Sequence, residues 1–183
     1  MAETGALPQI LIVTGAMAAG KSTVAQALAE RLPMAVHLRG DVFRKMIVSG
    51  RVDPAPGNEA EWRGQLDLRY DLAAAAAEGY AAAGFTVIWQ DILTDVLERI
   101  ARRLAPWRPG IVVLCPSARA LGEREAGRPK TGYRGWTPEA FDAMVRAETP
   151  KLGLWLDTTS LSVDETVEAI LGRAVETRQG LAH

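Results

Sequence analysis

One cysteine, two histidines and one asparagine are all that the 183 residues hold of those types, and each scarcity removes a class of function. Cys115 has no partner for an internal bridge and ends an apolar run, so it reads as a packed thiol in a reducing compartment. With His37 and His183 the only imidazoles, a zinc-type ligand cluster cannot be assembled, and both read as structural. Asn58 is followed by Glu59, so the Asn-Lys-x-Asp segment with which common GTPases read guanine is missing. No apolar run approaches the ~20 residues needed to cross a bilayer. The opening MAETGALPQ lacks the basic front of a secretory signal, which makes the cytoplasm the expected compartment. A formal charge of −1 gives no global reason to bind a nucleic-acid backbone and leaves such contact to a local basic patch. Aromatic residues are few, and the tryptophans at 62, 89, 107, 136 and 155 are dispersed, which suits packing better than a base-stacking platform. Trp62 and Trp136 flank loops and are placed to wall an acceptor pocket.

What is present is an alternation of short apolar runs and helical patterns. Residues 9–14 (QILIVT) form a β-branched run that ends at glycine, as a strand buried on both faces does. Similar runs at 34–38, 85–90, 110–115 and 152–157 predict four more strands. Helical spacing begins at Val24 and stops before Pro33, and further helices are expected at about 41–49, 59–83, 93–104, 117–126, 138–148 and 163–177. The alanines at 73–77 and 81–83 give the longest helix strong propensity and thin side chains for close packing. Strands alternating with helices imply parallel crossovers, hence one three-layer α/β/α domain with a five-stranded parallel sheet. Two stretches interrupt the pattern: 50–58 (GRVDPAPGN), a loop, and 127–135 (GRPKTGYRG), which is cationic and expected to be mobile.

The segment GAMAAGKS, Gly15 to Ser22, lies between the first strand and the first helix. It places two glycines four residues apart before a lysine and a hydroxyl, the spacing of a phosphate-binding loop. Glycine lets successive amides turn inward on a β-phosphate, and the helix beginning behind Gly20 adds its positive end. Gly15, Ala16, Met17, Ala18, Ala19, Gly20, Lys21, Ser22 and Thr23 are the candidate nucleotide cradle, with Lys21 neutralising β- and γ-oxygens and Ser22 holding Mg2+. An incidental strand-to-helix turn would explain the glycines but not the lysine and hydroxyl behind them. Motor ATPases follow their metal-orienting aspartate with a water-activating glutamate. Here Trp89-Gln90-Asp91 runs into Ile92, and the chain is too short for the extra helical subdomain of such motors. Transfer of the ATP γ-phosphate to a bound acceptor is the reaction left.

Such transfer needs charge neutralisation, in-line positioning and a carboxylate that takes the acceptor proton. Asp41 follows the second strand, at the edge where ligands bind in open α/β sheets, and is the candidate base; aspartate there also caps helices, and the two roles are compatible. Arg44 lies one turn later and is placed to grip a polar or anionic part of the acceptor, unless it is a solvated helix charge. Asp91 closes the third strand, next to the first, and is expected near Ser22 and the metal and at the acceptor; the alternative is a cap for the following helix. Arg124, Arg128 and Lys130 supply a basic lid over about 124–136, with Arg128 reaching the transferring phosphate, although a run of charge is commonly a solvated face.

With these residues in place, the chain resembles the chloramphenicol phosphotransferase-like group of small P-loop kinases, within the wider nucleoside-kinase-like fold. The resemblance rests on GAMAAGKS, Asp41, Asp91, GEREAGRPK and LWLDTTSLSVDETVEAI. It implies the strand order 2-3-1-4-5, an acceptor base at Asp41, Arg124 and Arg128 at adenine and phosphate, and Thr158 and Thr159 beside adenine. Asp41-Val42-Phe43-Arg44 departs from the antibiotic kinase and has the Asp-x-x-Arg spacing seen in polynucleotide and zeta-toxin sugar-nucleotide kinases, where the arginine meets a phosphate-bearing acceptor. A small-molecule kinase is the leading expectation. A kinase for nucleic-acid ends or sugar nucleotides, and a non-catalytic ATP-binding switch, are the alternatives.

Overall fold

A computed structural model describes residues 6–53, 58–127 and 137–181. Five parallel strands form its sheet: β1 (Ile10–Gly15), β2 (Ala35–Arg39), β3 (Thr86–Gln90), β4 (Gly110–Leu114) and β5 (Leu154–Leu156), in the order β2-β3-β1-β4-β5. The central strand β1 is apolar throughout because helices cover both of its faces, and every one of its residues is buried. Strand alternation then sorts the core into two halves. Ile10, Ile12, Val87 and Trp89 pack on one side with α3 (Glu59–Ala82), whose Ala73, Ala74 and Ala77 are wholly buried. Leu11, Val13 and Ile88 pack on the other with α1 (Lys21–Glu30) and α7 (Val163–Gly172). The alanine run therefore brings the α3 backbone close to the sheet, as its thin side chains suggest.

The remaining helices are α2 (Asp41–Lys45), α4 (Leu97–Arg103), α5 (Ala118–Ala126) and α6 (Pro138–Glu148), with short 3-10 turns at Ala105–Trp107 and Ala174–Arg178. Three expected spans are shortened. The helix expected over 41–49 ends at Lys45, ahead of the β-branched Ile47 and Val48 and of Gly50, whose φ is +77°. The helix expected from 93 begins at Leu97, because the two residues after Asp91 are held out of helical geometry. Thr14 Oγ1 accepts from Leu93 N at 2.9 Å and donates to Leu93 O at 3.2 Å, and Tyr70 Oη donates to Ile92 O at 3.2 Å. The span 163–177 divides into α7 and a 3-10 turn at Arg173. No helix among the described residues is long and apolar enough to cross a membrane.

Candidate active site

The turn from β1 into α1 adopts a conformation that ordinary residues resist. Gly15, Ala18 and Gly20 have φ of +138°, +61° and +92°. A Cβ at Gly15 would overlap the carbonyl oxygen of Leu114 on the neighbouring strand, so this position needs glycine for space as well as for angle. At Gly20 nothing crowds the Cβ position, and only the angle requires glycine. Ala18 has no such dispensation; a left-handed alanine is disfavoured by roughly 1–2 kcal/mol. Lys21 folds back across the turn, 7% exposed, and its Nζ donates to Ala16 O at 2.7 Å. The N-terminus of α1 has no side-chain cap and no acidic residue in its first turn. An anion at this end is what the helix dipole favours.

A cavity of about 760 Å3 opens over this turn and joins three groups of side chains. Met17 to Thr23 form its floor, Arg124 and Thr158 stand at one end with Leu161, and Asp41, Arg39, Lys45 and Arg69 stand at the other. Gly15 and Ala16 lie beneath the floor as its support. Arg124 bridges two elements, donating to Thr158 O at 2.8 Å and to Ala19 O at 3.5 Å. Thr158 is 3% exposed and its hydroxyl has no hydrogen bond among the described residues. Thr159 does not line the cavity: its Oγ1 donates to Asp157 at 2.6 Å and accepts from Ser117 N at 2.7 Å. It fixes the β5–α7 loop against the N-terminus of α5. Arg128, Lys130, Trp136 and His183 lie outside the described residues, as does all of the expected lid beyond residue 127.

Asp41 opens α2 at the mouth of the cavity. Its Oδ2 accepts a hydrogen bond from Lys45 one turn later, while Oδ1 is shielded from solvent, has Arg39 Nε at 3.9 Å, and accepts no hydrogen bond among the described residues. Burial alone would raise this carboxyl, but the Lys45 hydrogen bond and charge, with Arg39 and Arg69, carry it below the ordinary aspartate value. It is a carboxylate with one oxygen bound by Lys45 and the other shielded and without a hydrogen-bond donor among the described residues.

Arg44 is turned away from this cavity. Its guanidinium donates to Val52 O and to Asp53 Oδ1, the latter at 2.8 Å, and so ties α2 to the loop after it. The Asp-x-x-Arg spacing, one turn of helix, does not bring both side chains to the same place, because the loop after α2 captures the arginine.

Asp91 lines the same cavity as Ser22, as its place at the end of β3 suggests, but its carboxylate is engaged by α3. It is 1% exposed and forms a two-pronged ion pair with Arg69 of α3, with Nε to Oδ2 at 3.1 Å, while Oδ1 accepts from Ile92 N at 2.8 Å. The group that meets Ser22 is the preceding residue: Ser22 Oγ donates to Gln90 Oε1 at 2.9 Å. Strand alternation is the reason. Gln90 shares the α1 face with Ile88, whereas Asp91 follows the parity of Trp89 towards α3. Neither Arg69 nor Gln90 stood out in the sequence, yet that parity, read from the apolar pattern, separates the two faces. Gly40 completes the arrangement, since a Cβ there would overlap the Asp91 carboxylate. Asp91 is not a helix cap, because α4 starts at Leu97.

A second cavity, about 390 Å3, adjoins the first at Arg69 and Ile92, which line both. Trp62, Leu66, Tyr70, Val96 and Met144 form one part of its wall and Arg63, Asp67, Thr94, Asp95 and Glu148 the other.

Solved structures similar to this chain include kinases and a resistance protein. The chain superimposes on shikimate kinase from Acinetobacter baumannii in complex with shikimate with a TM-score of 0.63 at 19% identity, covering 90% of this chain and 91% of that one. A sugar kinase from a Janibacter species gives a TM-score of 0.63 at 17% identity, over 95% and 98% of the two chains. The Deinococcus radiodurans tunicamycin resistance protein gives 0.62 at 17% identity, over 97% and 98%. These likenesses establish the P-loop kinase-like fold. By sequence, the chain is 34% identical over 132 residues to the UPF0200 protein of Aeropyrum pernix, 69% of this chain and 68% of its relative. The model of the AAA domain family matches residues 10–150, the greater part of the chain, and the protein belongs to that family.

Proposed function

We propose that this protein is an ATP-dependent kinase that transfers the γ-phosphoryl group to a hydroxyl of a small molecule, with Asp41 as the base. One observation carries the reading: a single cavity is lined both by the phosphate-binding turn with Lys21 and by a carboxylate whose Oδ1 accepts no hydrogen bond among the described residues. A nucleotide switch needs the first of these and has no use for the second. In the reaction, the acceptor hydroxyl gives its proton to Asp41 as its oxygen bonds to the γ-phosphorus. The bond from that phosphorus to the β–γ bridging oxygen breaks, and ADP departs with the electron pair. Lys21 sits where negative charge on the β- and γ-oxygens is neutralised. Arg124 and Thr158 lie at the end of the cavity suited to the base.

The residues fit magnesium carried in with the nucleotide. Ser22 donates its proton to Gln90 and so has oxygen lone pairs to offer, and no cluster of three or more metal-ligating side chains exists among the described residues to bind the ion unaided. When bound, magnesium would neutralise phosphate charge; Asp91, committed to Arg69, is a positioning group behind the site. The second cavity, with Trp62, Leu66, Tyr70, Val96 and Met144 beside Arg63, Asp67, Asp95 and Glu148, supports an acceptor that carries both an apolar ring or chain and polar groups, reaching past Arg69 while its hydroxyl meets Asp41. The narrower likeness to chloramphenicol phosphotransferase-like kinases is part of this proposal and agrees with such an acceptor. With Arg44 held by Val52 and Asp53, the observation that favoured a phosphate-bearing acceptor loses its force.

The test is ADP release with magnesium across a panel of alcohols, apolar-bodied antibiotics, sugars, nucleotides and oligonucleotide 5′ ends. Turnover is expected with one or more small alcohols, and Asp41→Asn is expected to lower kcat by about 10²- to 10⁴-fold with nucleotide affinity retained. Full turnover in Asp41→Asn would remove the base. Labelled phosphate on oligonucleotide ends alone would replace this acceptor class with the nucleic-acid one.

A further inference from the structure

The outer strand of the sheet ends in a cation that the fold leaves largely uncommitted. In register, Val13 of β1 pairs with Gln90 of β3 and Gln90 with Arg39 of β2, so one row crosses from the strand that feeds the phosphate-binding turn to the edge of the sheet. Two strand spacings separate its ends, about 10 Å. Leu38 and the partly buried Val36 face the α3 side, so alternation turns Arg39 to the α1 side, where it lines the main cavity. Its guanidinium makes no hydrogen bond among the described residues, and the ion pair it forms there is the long one with Asp41, at 3.9 Å. Lys45 reaches the same place from α2, one turn beyond Asp41. Both cationic side chains are more than half exposed, Arg39 at 52% and Lys45 at 63%.

Charge at this end of the cavity does not balance among the described residues. Three cations line it, Arg39, Lys45 and Arg69, against the carboxylates of Asp41 and Asp91. Arg69 and the buried Asp91 answer each other, which leaves two cations facing the single charge of Asp41. They also work against the base, because neighbouring positive charge weakens a carboxylate's hold on a proton. A further anion resolves both. Arg39 stands at the opposite end of the row from β1 and Lys21, where nucleotide phosphates belong, so the anion that suits it is the acceptor's. Arg44, tied to Val52 and Asp53, has no part in this. Resting on the kinase reading above, we propose that Arg39 and Lys45 together receive an oxyanion of the acceptor, a carboxylate or a phosphate, placed beside the hydroxyl that meets Asp41. Lys45 keeps N–H donors beyond the one given to Asp41, and Arg39 has all of its own. As the oxyanion draws Lys45 off, Asp41 is freed of that hydrogen bond and becomes the stronger base. The acceptor thus readies the group that deprotonates it. The charged and titratable groups around Asp41 are Lys45 on its own helix, Arg39 and His37 on β2, and Arg69 on α3 with Asp91 behind it.

Paired alcohols test this in ADP release with ATP and magnesium: hydroxymethylbenzoate against hydroxymethylbenzamide, and glycerol phosphate against glycerol, alongside the panel above. Acceptors that carry an oxyanion should exceed their uncharged twins in kcat/KM by about tenfold or more, and the pair that shows it tells carboxylate from phosphate. In the double variant Arg39→Gln with Lys45→Met that ratio should fall to near one, mainly through the KM of the anionic member, while affinity for a non-hydrolysable ATP analogue is retained. Lys45→Arg, which keeps the charge, should keep the preference. For an anionic acceptor the acid limb of kcat should lie at higher pH than that of kcat/KM, because the first reports the occupied site and the second the free one. Equal use of the twins by the wild type, or turnover confined to uncharged alcohols, overturns the proposal even where the variant does not fold. So does a preference that survives the double variant. A loss of kcat that falls alike on both twins overturns it as well, by assigning the two cations to the transferring phosphoryl group. Each of these results leaves the kinase reading standing, whereas a wild type that turns over no alcohol overturns both.

Discussion

At the scale of single residues, the candidate base shows how a side chain's neighbours set its working range. Asp41 is half-buried, which by itself favours the neutral acid, and yet Lys45, Arg39 and Arg69 outweigh that effect and depress its pKa. A depressed value means that the carboxylate persists to lower pH than an ordinary aspartate and is lost only as pH falls through that lowered value. The acid limb of kcat/KM is accordingly expected below the usual carboxylate range. Lys45→Ala removes the hydrogen bond and the nearest charge and leaves the burial, so the acid limb should move to higher pH. A pH–rate profile of the two proteins checks this, and an unmoved limb in Lys45→Ala would mean that the titrating group is not Asp41. The residues whose placement the sequence made legible are those set by backbone position: Gly15, Lys21 and Ser22 in the turn, Asp41 at the strand edge. The side-chain directions of Arg44, Thr159 and Asp91 were not legible, for one shared reason. A side chain's direction depends on which neighbour captures it, and Val52 with Asp53, Asp157 and Arg69 are captors that no local spacing announces.

At the scale of elements, the buried pair between Arg69 and Asp91 joins the longest helix to the end of β3 and holds the wall between the two cavities. Burial lowers the Arg69 pKa, a sign of how far the guanidinium is withdrawn from water. Replacing such a pair whole with apolar residues is often neutral, but removing one partner strands a buried charge. Arg69→Leu should therefore destabilise the protein by about 3–5 kcal/mol in urea unfolding, and Arg69→Leu with Asp91→Leu by clearly less. Equal losses in the single and double variants would show that the cost lies in packing and not in the stranded carboxylate. All five strands were legible, because a parallel sheet covered on both faces requires continuous β-branched runs; their order followed from the family resemblance and not from the runs themselves. Helix ends were less so. The late start of α4 is imposed by Thr14 and Tyr70, from elements distant in sequence, and helical periodicity carries no trace of a hydroxyl arriving from another strand.

At the scale of the whole molecule, the strained turn, the uncapped α1 and the inward lysine meet at one place. The left-handed Ala18 and the burial of the Lys21 ammonium weigh against stability, and a polyphosphate would offset the second by its charge while meeting the positive end of α1. A ligand that binds only the folded state stabilises it by RT ln(1 + [L]/Kd), about 2.7 kcal/mol at a hundredfold excess over Kd. For a chain of this size that corresponds to a rise in Tm of roughly 5–10 °C, scaling the usual range of about 2–4 °C per kcal/mol. ATP with magnesium should produce such a shift in a thermal melt, and ADP a measurable one. Lys21→Ala should abolish most of it, because removing the ammonium leaves the β- and γ-oxygens without their counter-charge. The same variant also relieves a buried cation, so its melting point without nucleotide should be equal to or above that of the wild type. A Lys21→Ala protein that melts lower than the wild type without ligand and still gains the full shift with ATP would mean that the lysine serves the fold and that nucleotide, if bound, is held elsewhere.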